Sequence, residues 1–243
     1  MNYTTKIDDV KEKWGISQQA KLTGEPTYAI FRQMDITWLG HSCFRIRGSH
    51  ATIITDPYPP SLGYSLGKPT ARIVTVSHKH PGHSYVQGVG GEPRLVTEPG
   101  EYEISGILII GIATFHDGER GRKRGKNTAY LIEVDEVSVC HLGDLGHILT
   151  TEQVAELDNV DILLLPVGGV FTINAPMAAE VVRQLEPKVV VPMHYKTEAL
   201  NWELEPVGRF LREMGVKEVN SQPKLSFTKP SLPATTQVFL LNY

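Results

Sequence analysis

The amino-acid sequence predicts an α/β fold in which two packed β-sheets are covered on the outside by helices. Short β-type runs outnumber helical ones, many of those runs are apolar on both faces, and the second half alternates strand with helix. Hydrophobic residues make up 41% and charged residues 21% of the 243, values that fit a globular protein and exclude disordered, collagen-like and coiled-coil chains.

The elements follow in order. Residues 1–33 read as an N-terminal extension: Asp8 to Leu22 is polar with an interrupting Gly15, and Gly24-Glu25-Pro26 ends it, so a short helix or loop is expected. Residues 34–243 read as a single domain, because no linker divides them. Ile36–Leu39, Cys43–Ile46 and Ala51–Thr55 are β-type runs, the last stopped by Asp56-Pro57. After a Pro/Gly/Ser-rich loop, the apolar run Ile73–Val76 leads directly into Ser77-His78-Lys79-His80-Pro81-Gly82-His83. Arg94–Thr97, Gly100–Ser105 and Ile107–Thr114 suggest an antiparallel meander, and strands are expected over Thr128–Val134 and Val137–His141. Thr150–Leu157 has a helix start capped by Thr150 or Thr151. A buried strand at Ile162–Val167, a helix over Ala175–Leu185 and a buried strand at Val189–Met193 come next. A helix over Glu203–Met214 closed by Gly215, then strands near Lys224–Phe227 and Gln237–Leu241, complete the pattern.

Charge and cysteine content narrow the function. Lysine and arginine number 24 against 27 acidic residues, so the net charge of −3 makes no case for a nucleic-acid or membrane-surface protein. Cys43 and Cys140 are too few for a disulfide framework or a four-thiolate metal site and read as small buried apolar groups. Those two cysteines and the absence of an apolar leader lead us to expect a cytoplasmic location. No apolar stretch approaches the roughly 20 residues a membrane helix needs.

Histidine carries the chemistry. In an extended segment residues i and i+2 point to one side, so His78 and His80 can reach one ion, and the turn at Pro81-Gly82 can return His83 as a third imidazole. A merely polar, exposed loop is the alternative. Three further strand-type runs end on ligand-type residues: Ile112–Phe115 on His116-Asp117, Val137–Cys140 on His141-Leu142-Gly143-Asp144, and Val189–Met193 on His194-Tyr195. Strand ends meeting at one sheet edge are where a rigid scaffold gathers functional groups.

These spacings, with Trp38-Leu39-Gly40-His41-Ser42-Cys43-Phe44, His141-Leu142-Gly143-Asp144-Leu145-Gly146-His147 and Pro192-Met193-His194-Tyr195-Lys196, resemble the metallo-β-lactamase fold superfamily. Within it they resemble the branch of zinc-dependent hydrolases similar to ascorbate-6-phosphate lactonase. The resemblance covers about residues 34–241. It implies a four-layer αββα sandwich of two mixed β-sheets flanked by helices. It further implies that His78, His80 and His116 hold one metal, and that His83 and His194 contribute to a second with Asp144 bridging. His41 would lie near the metals, and Asp56 would be a supporting carboxylate. Zinc is the expected cofactor, as one ion or two, with manganese, iron or nickel as other occupants. One position departs from the family pattern: Gly82 stands where HxHxDH has aspartate, so the second site is expected to be weakened.

The implied activity is hydrolysis of a small anionic ester, lactone or phosphodiester by a metal-activated water. Without the family's aspartate, proton handling falls to Asp144 or to His41, the latter as a shuttle, with a metal ligand or a structural group that hydrogen-bonds a ligand's outer nitrogen as the alternatives. Glu119 to Asn127 concentrates five basic residues and one acidic, and it begins three residues after His116, so Arg124 and Lys126 are candidate anion-binding groups; a solvated surface loop is the alternative. Gly125-Lys126-Asn127 lacks the glycine, the hydroxyl residue and the following helix of a P-loop, which excludes nucleoside-triphosphate binding on that motif. Gly168 to Thr172 reads as a pocket wall or a tight turn, and Tyr195 as a core residue. A nucleic-acid phosphodiesterase of the same fold and a non-catalytic metal-binding protein are the competing functions. The net charge and the lack of an appended nucleic-acid module count against the first, and the otherwise complete donor set counts against the second.

Overall fold

The computed structural model describes residues 32–243, so the helix or loop expected within the N-terminal extension lies outside the described residues. Strands β1 (Met34–Gly40), β2 (Cys43–Arg47), β3 (Thr52–Thr55), β4 (Ile73–Thr75) and β5 (Arg94–Val96) lie side by side in that order. β1, β2 and β3 are antiparallel, while β3, β4 and β5 run parallel. The second sheet contains β6 (Gly100–Ile104), β7 (Ile107–Phe115), β8 (Lys126–Val134), β9 (Val137–His141), β10 (Ile162–Pro166) and β11 (Val189–Met193). It is antiparallel from β6 to β9 and parallel from β9 to β11. Near the C-terminus, β12 (Ser221–Gln222) pairs with β15 (Leu240–Leu241), β13 (Leu225–Phe227) extends the first sheet beyond β1, and β14 (Gln237–Val238) extends the second beyond β11. The result is the predicted pair of mixed sheets.

Side-chain alternation explains why the sheets stack. Met34, Ile36 and Trp38 of β1 are buried while Asp35, Thr37 and Leu39 are half-buried, the period of two that a strand imposes. In the parallel strands β3 and β4 both faces are buried. Ile53 and Ile73 join the core shared with Ile109, Leu131 and Ile162, whereas their neighbours Ile54 and Val74 join a separate cluster with Tyr58, Leu62 and Leu200. Each fully buried isoleucine contributes about 2 kcal/mol.

Three α-helices lie among the described residues. α1 (Thr151–Glu156) is capped by Thr150, which exchanges side-chain and backbone bonds with Gln153. α2 (Ala175–Leu185) is capped by Asn174, has Pro176 in its first turn, and buries Ala178, Val181, Val182 and Leu185. α3 (Gly208–Glu213) buries Phe210 and packs against α2, and α2 in turn packs on β10. The outer face of the first sheet is covered instead by 3-10 turns at Pro60–Leu62 and Val86–Gly88 together with Leu200 and Leu204.

Two expectations are corrected. The helix expected over Glu203–Met214 begins only at Gly208, because Glu205 uses its N–H on the Gly168 carbonyl and its C=O on the Lys196 N–H, and Pro206 disfavours a helical residue before it. Arg94–Val96 does not join the meander: Glu98-Pro99 breaks the run, so β5 stays in the first sheet parallel to β4 while β6 starts the second.

Candidate metal centre

The ends of β4, β7, β9 and β11 open on one edge of the molecule and deliver His78 to His83, His116, Asp144 and His194, and the β1–β2 turn adds His41. Among the described residues twelve other than glycine have left-handed backbone, and of these only His41 (φ 52°), Asp56 (φ 39°) and His194 (φ 51°) are buried. That conformation is costly for residues with a side chain and persists where the surroundings fix it, so these three positions mark a constrained centre.

Asp144 lies at the middle. Its Oδ2 is 3.1 Å from His83 Nε2, 3.3 Å from His116 Nε2, 3.5 Å from His194 Nε2 and 3.8 Å from His78 Nε2. His41 Nε2 is 3.2 Å from His83 Nε2. Donors about 2.0–2.1 Å from a tetrahedral zinc stand roughly 3.3 Å from one another, so most of these spacings match edges of a coordination shell. Three sets of donor atoms lie within 4.8 Å of one another: His78 with His116 and Asp144, His78 with His80 and His83, and His41 with His83 and His194. His80 therefore groups with His83 rather than with His116. Its N–H bonds the His78 carbonyl at 2.9 Å, so the segment is a turn and not the extended piece that i, i+2 spacing assumed.

The surroundings fix the donors. Asp56 accepts from the Ser77 N–H at 2.7 Å and the Ser77 hydroxyl at 2.6 Å, and its Oδ2 is 3.0 Å from His83 Nδ1. That leaves His83 Nε2 facing Asp144, the arrangement in which a carboxylate orients an imidazole ligand. Asn127 accepts the Asp144 N–H at 2.9 Å and donates to Thr114 Oγ1 and to the Leu142 carbonyl, tying β7, β8 and the loop after β9 together.

Electrostatically the centre is prepared for a cation. Burial pushes His41, His116 and His194 below the usual imidazole range and His78 down to about 3, which leaves neutral rings with lone pairs to offer. Burial opposes charge on His83 too, but Asp144 and Asp56 outweigh it and raise that imidazole. Burial would raise Asp144, yet the surrounding imidazoles hold it well below the carboxylate range. Asp144 Oδ1, His78 Nε2, His41 Nδ1, His116 Nδ1 and His194 Nδ1 are buried without hydrogen-bond partners among the described residues. Buried donor atoms left without partners are costly as a bare set, and a carboxylate ringed by imidazoles, all but His83 neutral, fits a bound cation.

A cavity of about 670 Å³ opens over this centre, lined by His78, His80, His116, Asp144, Arg124 and Trp202 among others. Arg124 lies over the Phe171 ring, 5.4 Å from its centroid, and donates to the Val170 carbonyl at 3.2 Å. Lys126 is outside the lining: it opens β8 opposite Phe115 and is exposed, so of the two expected anion-binding residues only Arg124 faces the cavity. The basic loop is ordered by Asp117, which the sequence marks only as a ligand-type neighbour of His116. Its carboxylate accepts the N–H groups of Glu119, Gly121, Lys123 and Arg124 at 2.7 to 2.9 Å. Desolvation would raise this carboxyl, but the four N–H donors, Arg124 first, hold it down to about 2. Asp117→Ala is expected to release the loop, with faster amide exchange at residues 119–125 by at least tenfold; unchanged exchange there would contradict this role.

His141 and His147 are not donors to the centre. His141 uses Nε2 on the Ser42 carbonyl and Nδ1 on the Gly143 N–H, and His147 bonds the Phe115 N–H and the Ile148 carbonyl. Tyr195 lies in the core 5.2 Å from Trp38, as expected. Trp202 and Asn127 were missed: each acts through a tertiary contact, and neither stands in a motif.

Residues 35–194 match the model of the beta-lactamase superfamily domain. A UPF0173 metal-dependent hydrolase of Methanoculleus marisnigri is 32% identical over 72% of this chain and 88% of its own, and one of Methanopyrus kandleri is 28% identical over 75% and 94%. A crystal structure from Thermotoga maritima, of a protein named as a Zn-dependent hydrolase of the metallo-beta-lactamase superfamily, superposes with a TM-score of 0.72 at 39% identity, covering 86% of this chain and 98% of that one. Among the described residues no helix is long and apolar enough to cross a membrane.

Proposed function

Because the chain belongs to the metallo-β-lactamase superfamily, whose relatives here are named metal-dependent hydrolases, we propose that it hydrolyses a small anionic ester, lactone or phosphodiester with a metal-activated water. The observation that carries this reading is Asp144 Oδ2, which stands within 3.8 Å of four imidazole Nε2 atoms beneath the cavity that Arg124 lines. His78, His116 and Asp144 would hold the ion facing the cavity, with His80 at its rim beside His78, and His83, His194 and Asp144 a deeper one. Zinc suits this imidazole-rich set, with iron, nickel or manganese as competitors. A cation held there lowers the pKa of its water to about 7 and polarises the oxygen of the scissile group.

The chain's own residues do the rest. Asp144 Oδ1, free of protein partners among the described residues, accepts a hydrogen bond that orients the attacking water. Arg124 pairs with the substrate's anionic group, and Trp202 with Phe171 encloses its apolar part and excludes bulk water. Asp56 fixes the tautomer and direction of His83. The free, buried cysteines suit a reducing compartment such as the cytoplasm.

Metal removal tests this. Chelation is expected to abolish hydrolysis across a panel of anionic esters, lactones and phosphodiesters and to lower Tm by about 10 °C, both restored by zinc. A fully zinc-loaded protein inert on the whole panel would contradict the reading. Arg124→Ala is expected to raise KM for an anionic substrate about tenfold relative to its neutral isostere, with kcat nearly kept; equal effects on both would remove Arg124 from the anion site.

A further inference from the structure

We propose that His41 is itself a metal ligand and completes, with His83, His194 and Asp144, a closed second cation site in place of the carboxylate that Gly82 lacks. The inference rests on the metal-centre reading above and goes beyond its ligand set.

Three observations carry it. First, the donor atoms of His41, His83 and His194 lie within 4.8 Å of one another, and all three residues are buried. His41 Nε2 stands 3.2 Å from His83 Nε2, and the His41 ring centroid is 4.4 Å from that of His194. Asp144 Oδ2, 3.1 Å from His83 Nε2 and 3.5 Å from His194 Nε2, supplies the fourth donor. Second, the backbone is built to hold the ring there. The His41 carbonyl accepts the His194 N–H at 3.1 Å and the Trp38 indole N–H at 3.0 Å, and both histidines keep the left-handed conformation that this coupling demands. Third, position 82 has no carboxylate, and side chains crowd the place from which one would project. A Cβ there would stand 3.2 Å from His80 Nδ1 and 3.6 Å from the Trp202 ring, and Trp202 also packs edge-on against His41 at 5.4 Å. An indole thus stands beside the place from which an aspartate would project, while an imidazole enters from the opposite strand turn.

The same geometry argues against His41 as a proton shuttle. Its exposure is 0%, and neither it nor His83 nor His194 lines the cavity, so it has no route to substrate or solvent. Three imidazoles and one carboxylate make a closed, four-donor shell of the kind that holds zinc without an open position. The deep ion would fix the donors and supply positive charge, and the water-bearing position stays with the cavity-facing set. Imidazole in place of carboxylate also favours zinc, cobalt or nickel over manganese or magnesium.

The experiment counts metal. Wild-type protein, His41→Ala and His41→Gln are stripped, reloaded with zinc, dialysed against a weak chelator and measured by elemental mass spectrometry, with far-UV circular dichroism on each. Wild type is expected to keep about two zinc ions per chain and both folded variants about one, and cobalt-loaded variants should lose about half of the visible d–d absorption. Two ions retained in either folded variant, or a wild type that keeps only one, would overturn the inference while leaving the cavity-facing centre in place. A wild type that keeps none would instead sink the metal-centre reading on which the inference stands. Should His41→Ala not fold, His41→Gln decides, since its amide preserves polarity and approximate size.

Discussion

Asp144→Asn is expected to cost the protein nearly all of its bound metal and, with it, hydrolysis. The carboxylate faces four imidazole Nε2 atoms between 3.1 and 3.8 Å away. An amide of the same shape keeps the packing and the Asp144 N–H bond to Asn127, so the fold is retained. It removes the one negative charge shared by both donor sets. Changes in groups that merely orient a ligand lower metal affinity about 10–100-fold, and loss of a bridging carboxylate should exceed that range. Zinc content after dialysis should approach zero, with turnover down by about a thousandfold or more. A variant that keeps full metal and activity would show that Asp144 is a bystander.

Gly168→Ala is expected to damage both the fold and the metal centre, although it adds only one methyl group outside the donor set. A Cβ at position 168 would sit 2.0 Å from the His194 carbonyl oxygen and 3.0 Å from its carbonyl carbon. Neither is the end of a flexible side chain. Both flanks are pinned: the Val167 N–H bonds the Met193 carbonyl, and the Gly168 carbonyl accepts the Glu205 N–H. Relief must therefore displace the end of β11, which places His194. We expect a loss of about 3 kcal/mol, read as a shift in the denaturant midpoint at unchanged slope, together with reduced zinc retention. A midpoint within error of wild type would mean that this strand end is more pliable than its hydrogen bonds indicate.

Much of this centre was legible because its signals are local. A buried strand that ends on histidine or aspartate can be read from a few neighbouring residues, and β4, β7, β9 and β11 each carry that signal. The paired sheets were legible for the same reason, since period-two and fully apolar runs distinguish half-buried from buried strands. What escaped was set by tertiary contacts. His78 and His80 were placed on one side by assuming extended backbone, but the His80 N–H closes a turn on the His78 carbonyl. The helix before α3 was lost to the pairing of Glu205 with Gly168 and Lys196. Trp202 and Asn127 stand in no motif, and their roles follow from neighbours far along the chain. The glycine at 168 was equally compatible with a tight turn and a pocket wall. Its actual constraint, the approach of the His194 carbonyl, involves a segment 26 positions away.

The most direct measurement is anomalous scattering at the zinc edge from crystals of the zinc-loaded protein. The account predicts a peak bonded at about 2.0–2.2 Å to Asp144 and to the Nε2 atoms of His78 and His116, at the floor of the cavity that Arg124 lines. A map with no peak near Asp144, or with zinc only on exposed side chains, would contradict it.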